Sequence, residues 1–289
     1  MHLDTDIFTR KGKFLMLALY HRGTFRKLLN KDNPDAVTQE EVVATKQSII
    51  RAVESLFSGY LIDPASLLRR SDLERSDLYR RVAAPYLLCI EKTGYTDMGS
   101  MELGRAGERK TELEYTVAQL KEMGARGIKI LLYVHPDASV TDYQINLART
   151  VLADSHTYSV PFFLELVTYP LLNKTNHKPE IVIHSLQKFV DAGIVPDVFK
   201  LEYPGDAASC FKISSILKKT PWILLTKGDN FDLFREELKQ AIQNGCSGFL
   251  AGRALWQEFA LYKTPQEREV FFKNVLHERF QEIVDIVLH

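Results

Sequence analysis

The chain has 289 residues, and its 37 lysines and arginines are matched by 37 aspartates and glutamates. That balance argues against a nucleic-acid binder or a protein held on an anionic membrane, and leaves a small ligand gripped by locally gathered charge. Cys89, Cys210 and Cys246 are far apart with no CxxC pair, so neither a disulfide framework nor a zinc cluster is suggested.

The opening stretch MHLDTDIFTRKGKFLMLALYHRG holds an apolar run too short for a membrane span. Acidic residues precede it and no small-residue cleavage site follows, so a cytoplasmic location is expected. From there, strand-like apolar runs recur along the chain. They are FLMLALY (14–20), GYLIDP (59–64), YLLCIE (86–91), GIKILLY (127–133), PFFLELV (161–167), DVFKLEY (197–203), PWILLTKG (221–228) and SGFLAGR (247–253). Chain length divided among the eight runs is about 36 residues per unit, the range of a βα barrel repeat. Continuous apolar runs with helical patterns between them suit a parallel sheet covered on both faces.

Helix signals fill the intervals. Thr38 and Glu41 have capping-box spacing ahead of VVATKQSIIRAVESLF. Asp229 is placed to cap NFDLFREELKQAIQ, and Gly245 to end it. Thr264, Pro265 and Glu267 give an N-cap, a first-turn proline and a box-closing glutamate. The stretch NKTNHKP reads as a loop. The predicted fold class is α/β, a closed (β/α)8 TIM barrel forming a single domain over residues 1–289. An open doubly wound sheet is the alternative, but no strand is followed by GxGxxG.

Barrel active sites lie at the C-terminal ends of the strands. Glu91, Lys129, Glu165, Lys200 and Glu202 all fall at or near such ends. Alternation puts Lys129 on a face with Leu131 and Tyr133, Glu165 with Phe163 and Val167, and Lys200 with Val198 and Glu202. A lone Lys and Glu two apart on a strand are most often an ion pair. Recurrence of charge on neighbouring strands changes the balance, because buried ionised groups are costly unless paired or shifted in pKa. A desolvated lysine beside a second ammonium is partly neutral amine near pH 7, and neutral amine attacks carbonyls to form a Schiff base. Glu165, on the preceding strand, is the expected proton shuttle.

The ends of runs seven and eight, LLTKGDN and LAGRALW, form a second constellation. Gly228 and Gly252 allow close backbone approach there, and Lys227 and Arg253 supply charge, as a phosphate site requires. Metal chemistry has little support. The eight histidines are scattered, His21 and His135 alone lie just beyond strand ends, and there is no HxH or HxxxH pair. Neither a metal nor a cofactor is expected.

Taken in order, LALYHRGTFRKLL, EKTGY, IKILLYV, PFFLELVTY, VFKLEYP, LLTKGDN and SGFLAGRALW resemble the class I aldolases of the tagatose 1,6-bisphosphate aldolase type, within the DeoC/LacD barrel group. DAGIVPDVFKLE also resembles the aldolase domain that handles 2-deoxy-5-keto-gluconate 6-phosphate, and SGFLAGRA the sulfofructose phosphate aldolases. The resemblance implies a metal-independent, Schiff-base aldolase that cleaves a phosphorylated ketose to dihydroxyacetone phosphate and an aldehyde. It implies Lys200 as the nucleophile, Glu165 as acid and base, and Lys129 and Glu91 as further active-site residues. Lys227, Gly228, Gly252 and Arg253 fall where the family grips phosphate, although position 227 is often small in the tagatose enzymes.

One departure stands out. The family's first strand commonly ends in Asp followed by Gln-Arg or His-Arg, whereas this chain has Tyr20 before His21 and Arg22. Tyr20 is expected to hydrogen-bond a substrate hydroxyl, His21 and Arg22 to contact substrate or stand behind groups that do, and Glu202 to orient or balance the lysines. The expected partner is a small phosphorylated sugar, with no nucleic acid and no membrane; exposed helices around a barrel are compatible with a homodimer. Rival readings are a sugar-phosphate-responsive regulatory protein, a transaldolase-like enzyme, and an aldolase for a keto-acid or sulfo-sugar phosphate.

Overall fold

The computed structural model describes residues 3–67, 82–98, 107–172, 174 and 177–289. Eight parallel strands close into a barrel: β1 (Lys13–Leu19), β2 (Gly59–Ile62), β3 (Tyr86–Cys89), β4 (Gly127–Val134), β5 (Phe162–Thr168), β6 (Val198–Leu201), β7 (Trp222–Leu224) and β8 (Gly248–Ala251). Each pairs with the next, and β8 returns to β1 through Gly248–Phe14 to Ala251–Leu17. Several runs read from the sequence overshoot their strands. Glu91, Glu202, Lys227 and Arg253 lie just beyond β3, β6, β7 and β8, where the ladders give way to turns. After β7, for instance, the chain folds back with the Asp229 N–H donating to the Thr226 carbonyl.

Two apolar layers explain why every strand reads as a continuous apolar run. The outward-facing residues, among them Leu15, Leu17, Ile128, Ile130, Leu164 and Phe199, join the helices in one large core. The inward-facing residues Phe14, Met16, Leu61, Leu87, Phe163, Val198, Ile223 and Leu250 fill the barrel itself. Phe8, fully buried ahead of β1, packs edge-on against Phe163 at 5.4 Å between centroids. Gly59 makes room for it, since a Cβ there would come within 2.9 Å of the Phe8 ring. Among the described residues the lower barrel is thus filled, and the cavity lies at its C-terminal end.

Gly248 is the tightest of these close approaches. Its φ is +139°, and an added Cβ would stand 2.0 Å from the Phe14 carbonyl oxygen. Gly248→Ala is expected to destabilise the protein by about 3 kcal/mol or more, read as a lowered urea midpoint at unchanged m-value. An unchanged midpoint would contradict this close approach.

The outer helices start as their caps dictate. Thr38 and Glu41 form a reciprocal capping box on helix α1 (Gln39–Val53), and Thr264 and Glu267 do so on α2 (Pro265–Phe271). The cap of the helix Phe231–Gln243 is Asn230 rather than Asp229. The Asp229 N–H is used in the turn after β7, and it is the Asn230 side chain that accepts from the Leu233 N–H. Gly245 follows that helix with φ +94°, as a terminating glycine should. The loop expected over 173–179 lies partly outside the described residues, and from Lys178 onward the chain is helical. Among the described residues no helix is long and apolar enough to cross a membrane.

Candidate active site

A cavity of about 400 Å³ opens at the C-terminal end of the barrel, lined by residues from most of the strand ends. Its floor is built by register. Glu165 on β5 lies directly beside Lys200 on β6, and Leu131 on β4 flanks Glu165 on the other side. Lys200 Nζ is 2.8 Å from Glu165 Oε1, and both residues are only 2 % exposed. Lys129 Nζ lies 3.1 Å from Glu165 Oε2 and 2.5 Å from Glu91 Oε1. Two ammonium groups and two carboxylates therefore form one chain: Lys200, Glu165, Lys129, Glu91.

The two lysines have opposite electrostatics. Burial pushes the Lys200 ammonium down; Glu165 opposes that shift and Lys129 adds to it, and the result is a pKa of about 8. Burial also disfavours the charged form of Lys129, but Glu91, Tyr20 and Glu165 overcome it and hold its pKa well above the ordinary lysine value. Burial resists ionisation of Glu165, yet Lys200 and Lys129 together keep its pKa below the usual carboxylate range. Of these four groups, Lys200 is the amine poised to deprotonate, Lys129 the fixed cation, and Glu165 the carboxylate that both lysines keep ionised at rest.

Tyr20 closes this arrangement from the end of β1. Its phenol stands 3.3 Å from both oxygens of Glu165. Its ring face lies 3.8 Å from Lys129 Nζ and 5.0 Å from Lys200 Nζ. Burial and the neighbouring Glu165 keep the phenol protonated, far above its ordinary pKa. Lys129 is fully buried beneath that ring and does not line the cavity, whereas Lys200, Glu165, Glu91 and Tyr20 do. Glu91 Oε2 is a buried acceptor with no hydrogen-bond partner among the described residues.

The second constellation gathers at the ends of β7 and β8. Lys227 and Gly228 both have positive φ, +45° and +90°, in the turn closed by Thr226 and Asp229. The Arg253 guanidinium lies against Gly228, where a Cβ would come within 2.9 Å of Arg253 Cζ. Gly252 is equally constrained, its missing Cβ facing the Ala18 carbonyl at 3.0 Å and His21 Cε1 at 3.1 Å. His21 packs edge-on against Trp256; burial, then the neighbouring Arg253 and Lys200, keep its imidazole neutral, with a pKa well below the ordinary value. Lys227 points elsewhere. Its ammonium pairs with Glu202 Oε2, while Glu202 Oε1 accepts from the Thr168 backbone and hydroxyl at 2.6 Å each. The carboxylates on Lys129 and Lys200 are those of Glu91 and Glu165, so Glu202 balances Lys227 rather than the two buried lysines.

On the opposite rim Arg22 pairs with Glu114 and donates to the Glu91 carbonyl at 2.8 Å. Nothing in sequence spacing points to Glu114 or Thr168. A further buried pair does leave a trace. Lys46 shares the buried stripe of α1 with Val42, Ile49, Ile50 and Val53, so a lysine on an apolar face demands a carboxylate. That carboxylate is Asp63, just past β2, at 2.5 Å, with Ser66 Oγ at 3.0 Å.

Comparison with known proteins places this geometry. The family model described as DeoC/LacD family aldolase matches residues 73–258. A tagatose 1,6-diphosphate aldolase from Staphylococcus aureus is 27% identical, the match covering 87% of this chain and 82% of the relative. Tagatose 1,6-diphosphate aldolase 1 from Enterococcus faecalis is 28% identical, covering 90% and 84%. Among solved structures, an archaeal fructose-1,6-bisphosphate aldolase with its catalytic Lys bound to the carbinolamine intermediate superposes with a TM-score of 0.65. That match covers 97% of this chain and 96% of the other at 17% identity, and so speaks for the shared barrel. A family model matched over more than half the chain, a closed eight-stranded barrel and relatives matched over most of their length agree: the chain belongs to the DeoC/LacD family of aldolases.

Proposed function

We propose that this protein is a class I, Schiff-base aldolase acting on a phosphorylated ketose, built as one barrel domain, with Lys200 as its nucleophile. The observation that carries the reading is a cavity-lining lysine of pKa about 8 held beside a carboxylate. Near neutral pH a useful fraction of such an amine is unprotonated, and proximity to the bound ketone supplies the remainder of the advantage.

The reaction balances with this chain's own residues. The Lys200 amine forms a C–N bond to the ketone carbon, and the carbonyl oxygen gains a proton to give a carbinolamine. Glu165, which takes the Lys200 ammonium proton as the amine forms, gives that proton to the departing hydroxyl, so water leaves, a protonated imine remains and the carboxylate is restored. Glu165, again a carboxylate, then takes the proton of the hydroxyl two carbons away. The bond joining that hydroxyl-bearing carbon to the carbon next to the imine breaks, its electron pair forms the enamine double bond, and the aldehyde departs. Protonation of the enamine and addition of water release the ketone product and free Lys200. For a ketose phosphorylated at C1 that product is dihydroxyacetone phosphate. Lys129, under the Tyr20 ring, acts through Glu165 and Lys200 rather than on substrate, and Glu91 Oε2 receives a substrate hydroxyl. The backbone around Gly228 and Gly252 and the Arg253 guanidinium take phosphate, with Lys227 and Glu202 bracing that rim.

The test is borohydride reduction in the presence of a ketose phosphate panel, beginning with the tagatose 1,6-bisphosphate of the relatives' names, followed by peptide mass mapping. An adduct at Lys200 with release of an aldehyde is expected; an adduct at Lys46 or Lys129 instead would remove Lys200 from its role. Tyr20, packed over both ammonium groups, favours one second reading, a sugar-phosphate sensor with slow turnover. An adduct at Lys200 without cleavage would support that reading.

Tyr20 also carries a prediction of its own. Tyr20→Phe removes the phenol from Glu165 but keeps the ring over Lys129, and is expected to lower kcat by about tenfold or less. Tyr20→Asp brings a carboxylate to the two lysines, which favours the charged amine. The pH edge of adduct formation should move to the alkaline side by about one pH unit or more. An unmoved edge in Tyr20→Asp would show that residue 20 does not set the amine's charge state.

A further inference from the structure

We infer that the pocket is built for a ketose carrying a single phosphate, held at the β7–β8 end, with an uncharged hydroxylated stretch at the β3 end. The inference rests on the aldolase reading above and deepens it. It comes from where the cavity's charges are already spent.

Among the described residues, five cations line the cavity: Arg22, Lys92, Lys200, Lys227 and Arg253. Four are held by carboxylates. Arg22 pairs with Glu114, Lys92 with Glu112 at 3.2 Å, Lys200 with Glu165 at 2.8 Å, and Lys227 with Glu202. Arg253 differs: among the described residues it has no carboxylate within 4.0 Å, and its Nε is buried with no hydrogen-bond partner. Its guanidinium is packed on Gly228, so its remaining donors are pre-oriented for a planar or tetrahedral oxyanion. One end of the cavity therefore offers an uncommitted, immobilised cation.

The other end has the reverse character. Glu91 reaches the cavity from the end of β3 with one oxygen on Lys129 and the other, Oε2, buried without a partner. A substrate hydroxyl donates to that oxygen and satisfies it. A phosphate placed there would set its own acceptors against an acceptor and bring like charges together, which costs far more than a missing contact. Among the described residues the cavity-lining cations at this end, Arg22 and Lys92, pair with Glu114 and Glu112. A second phosphate compensated by either of these two would have to compete with the carboxylate that already holds it.

The experiment compares, for one ketohexose, the 1-phosphate, the 6-phosphate and the 1,6-bisphosphate. The readouts are kcat/KM for cleavage and borohydride trapping at Lys200. One monophosphate is expected to exceed the bisphosphate by about tenfold or more in kcat/KM. Glu91→Gln, which keeps the side chain's size but removes its charge, is expected to narrow that gap, and Arg253→Ala to lose inorganic phosphate as a competitive inhibitor. A bisphosphate that outperforms both monophosphates overturns the inference while leaving the aldolase intact. If none of the three labels Lys200, the aldolase reading fails and takes this inference with it. The two failures are therefore told apart by the trapping arm alone.

Discussion

Lys200→Met is expected to abolish borohydride trapping and to lower retro-aldol turnover by about 10⁴-fold or more. Lys200→Arg should do the same, although it keeps a cation beside Glu165. The contrast matters because a purely structural ion pair would tolerate arginine. Folding of each variant is checked by circular dichroism and thermal midpoint. Buried Lys46 and Lys129 serve as internal controls, since both are fully enclosed and neither lines the cavity. Trapping in the wild type should rise with pH through about 8, because only the neutral amine attacks. Linkage gives a second check. A lysine whose pKa is lowered on folding is bound to more protons in the unfolded chain between about 8 and its ordinary value. Its contribution to stability therefore rises with pH across that window, and Lys200→Met should flatten the slope. If Lys200→Arg retained trapping, the covalent step would belong to another residue.

Legibility in the residues alone differs by level. The barrel is legible because both faces of each strand are buried, one by helices and one by the barrel interior, which leaves continuous apolar runs. Within those runs a charged residue is conspicuous, so Lys129, Glu165 and Lys200 can be picked out on strand faces from the sequence pattern. Partnership is not legible. Glu202 alternates with Lys200 and reads as its counter-ion, yet β6 ends at Leu201, and one residue beyond it Glu202 turns to Thr168 and Lys227. Lys227 reads as a phosphate cation for the same reason: nothing in LLTKGDN reveals that its φ of +45° sends the ammonium to the β6 rim. Tyr20 stands out as a departure from a family pattern, but its ring covering Lys129 is a property of strand ends meeting across the barrel. Helix ends behave likewise. The cap falls on Asn230, one residue past the expected Asp229, because the two have equal capping chemistry and only the turn geometry separates them.

Glu165→Gln is expected to separate Schiff-base formation from proton transfer. The carboxylate lies between Lys200 and Lys129, at 2.8 and 3.1 Å, and it is the group that holds the Lys200 pKa up against burial. Removing its charge leaves Lys129 with Glu91 but leaves the Lys200 ammonium without a carboxylate. The Lys200 pKa must then fall below about 8, so trapping should extend to lower pH than in the wild type. Cleavage should move the other way. An amide cannot accept the hydroxyl proton, and loss of a positioned base costs about 10² to 10⁴ in kcat. The variant should therefore accumulate a reducible adduct that turns over slowly, a combination that a misfolded site cannot produce. Its stability deficit should also shrink as pH rises, because the unpaired buried ammonium disappears once Lys200 is neutral. Loss of both trapping and cleavage at every pH would mean that Glu165 maintains the shape of the site rather than moving its protons.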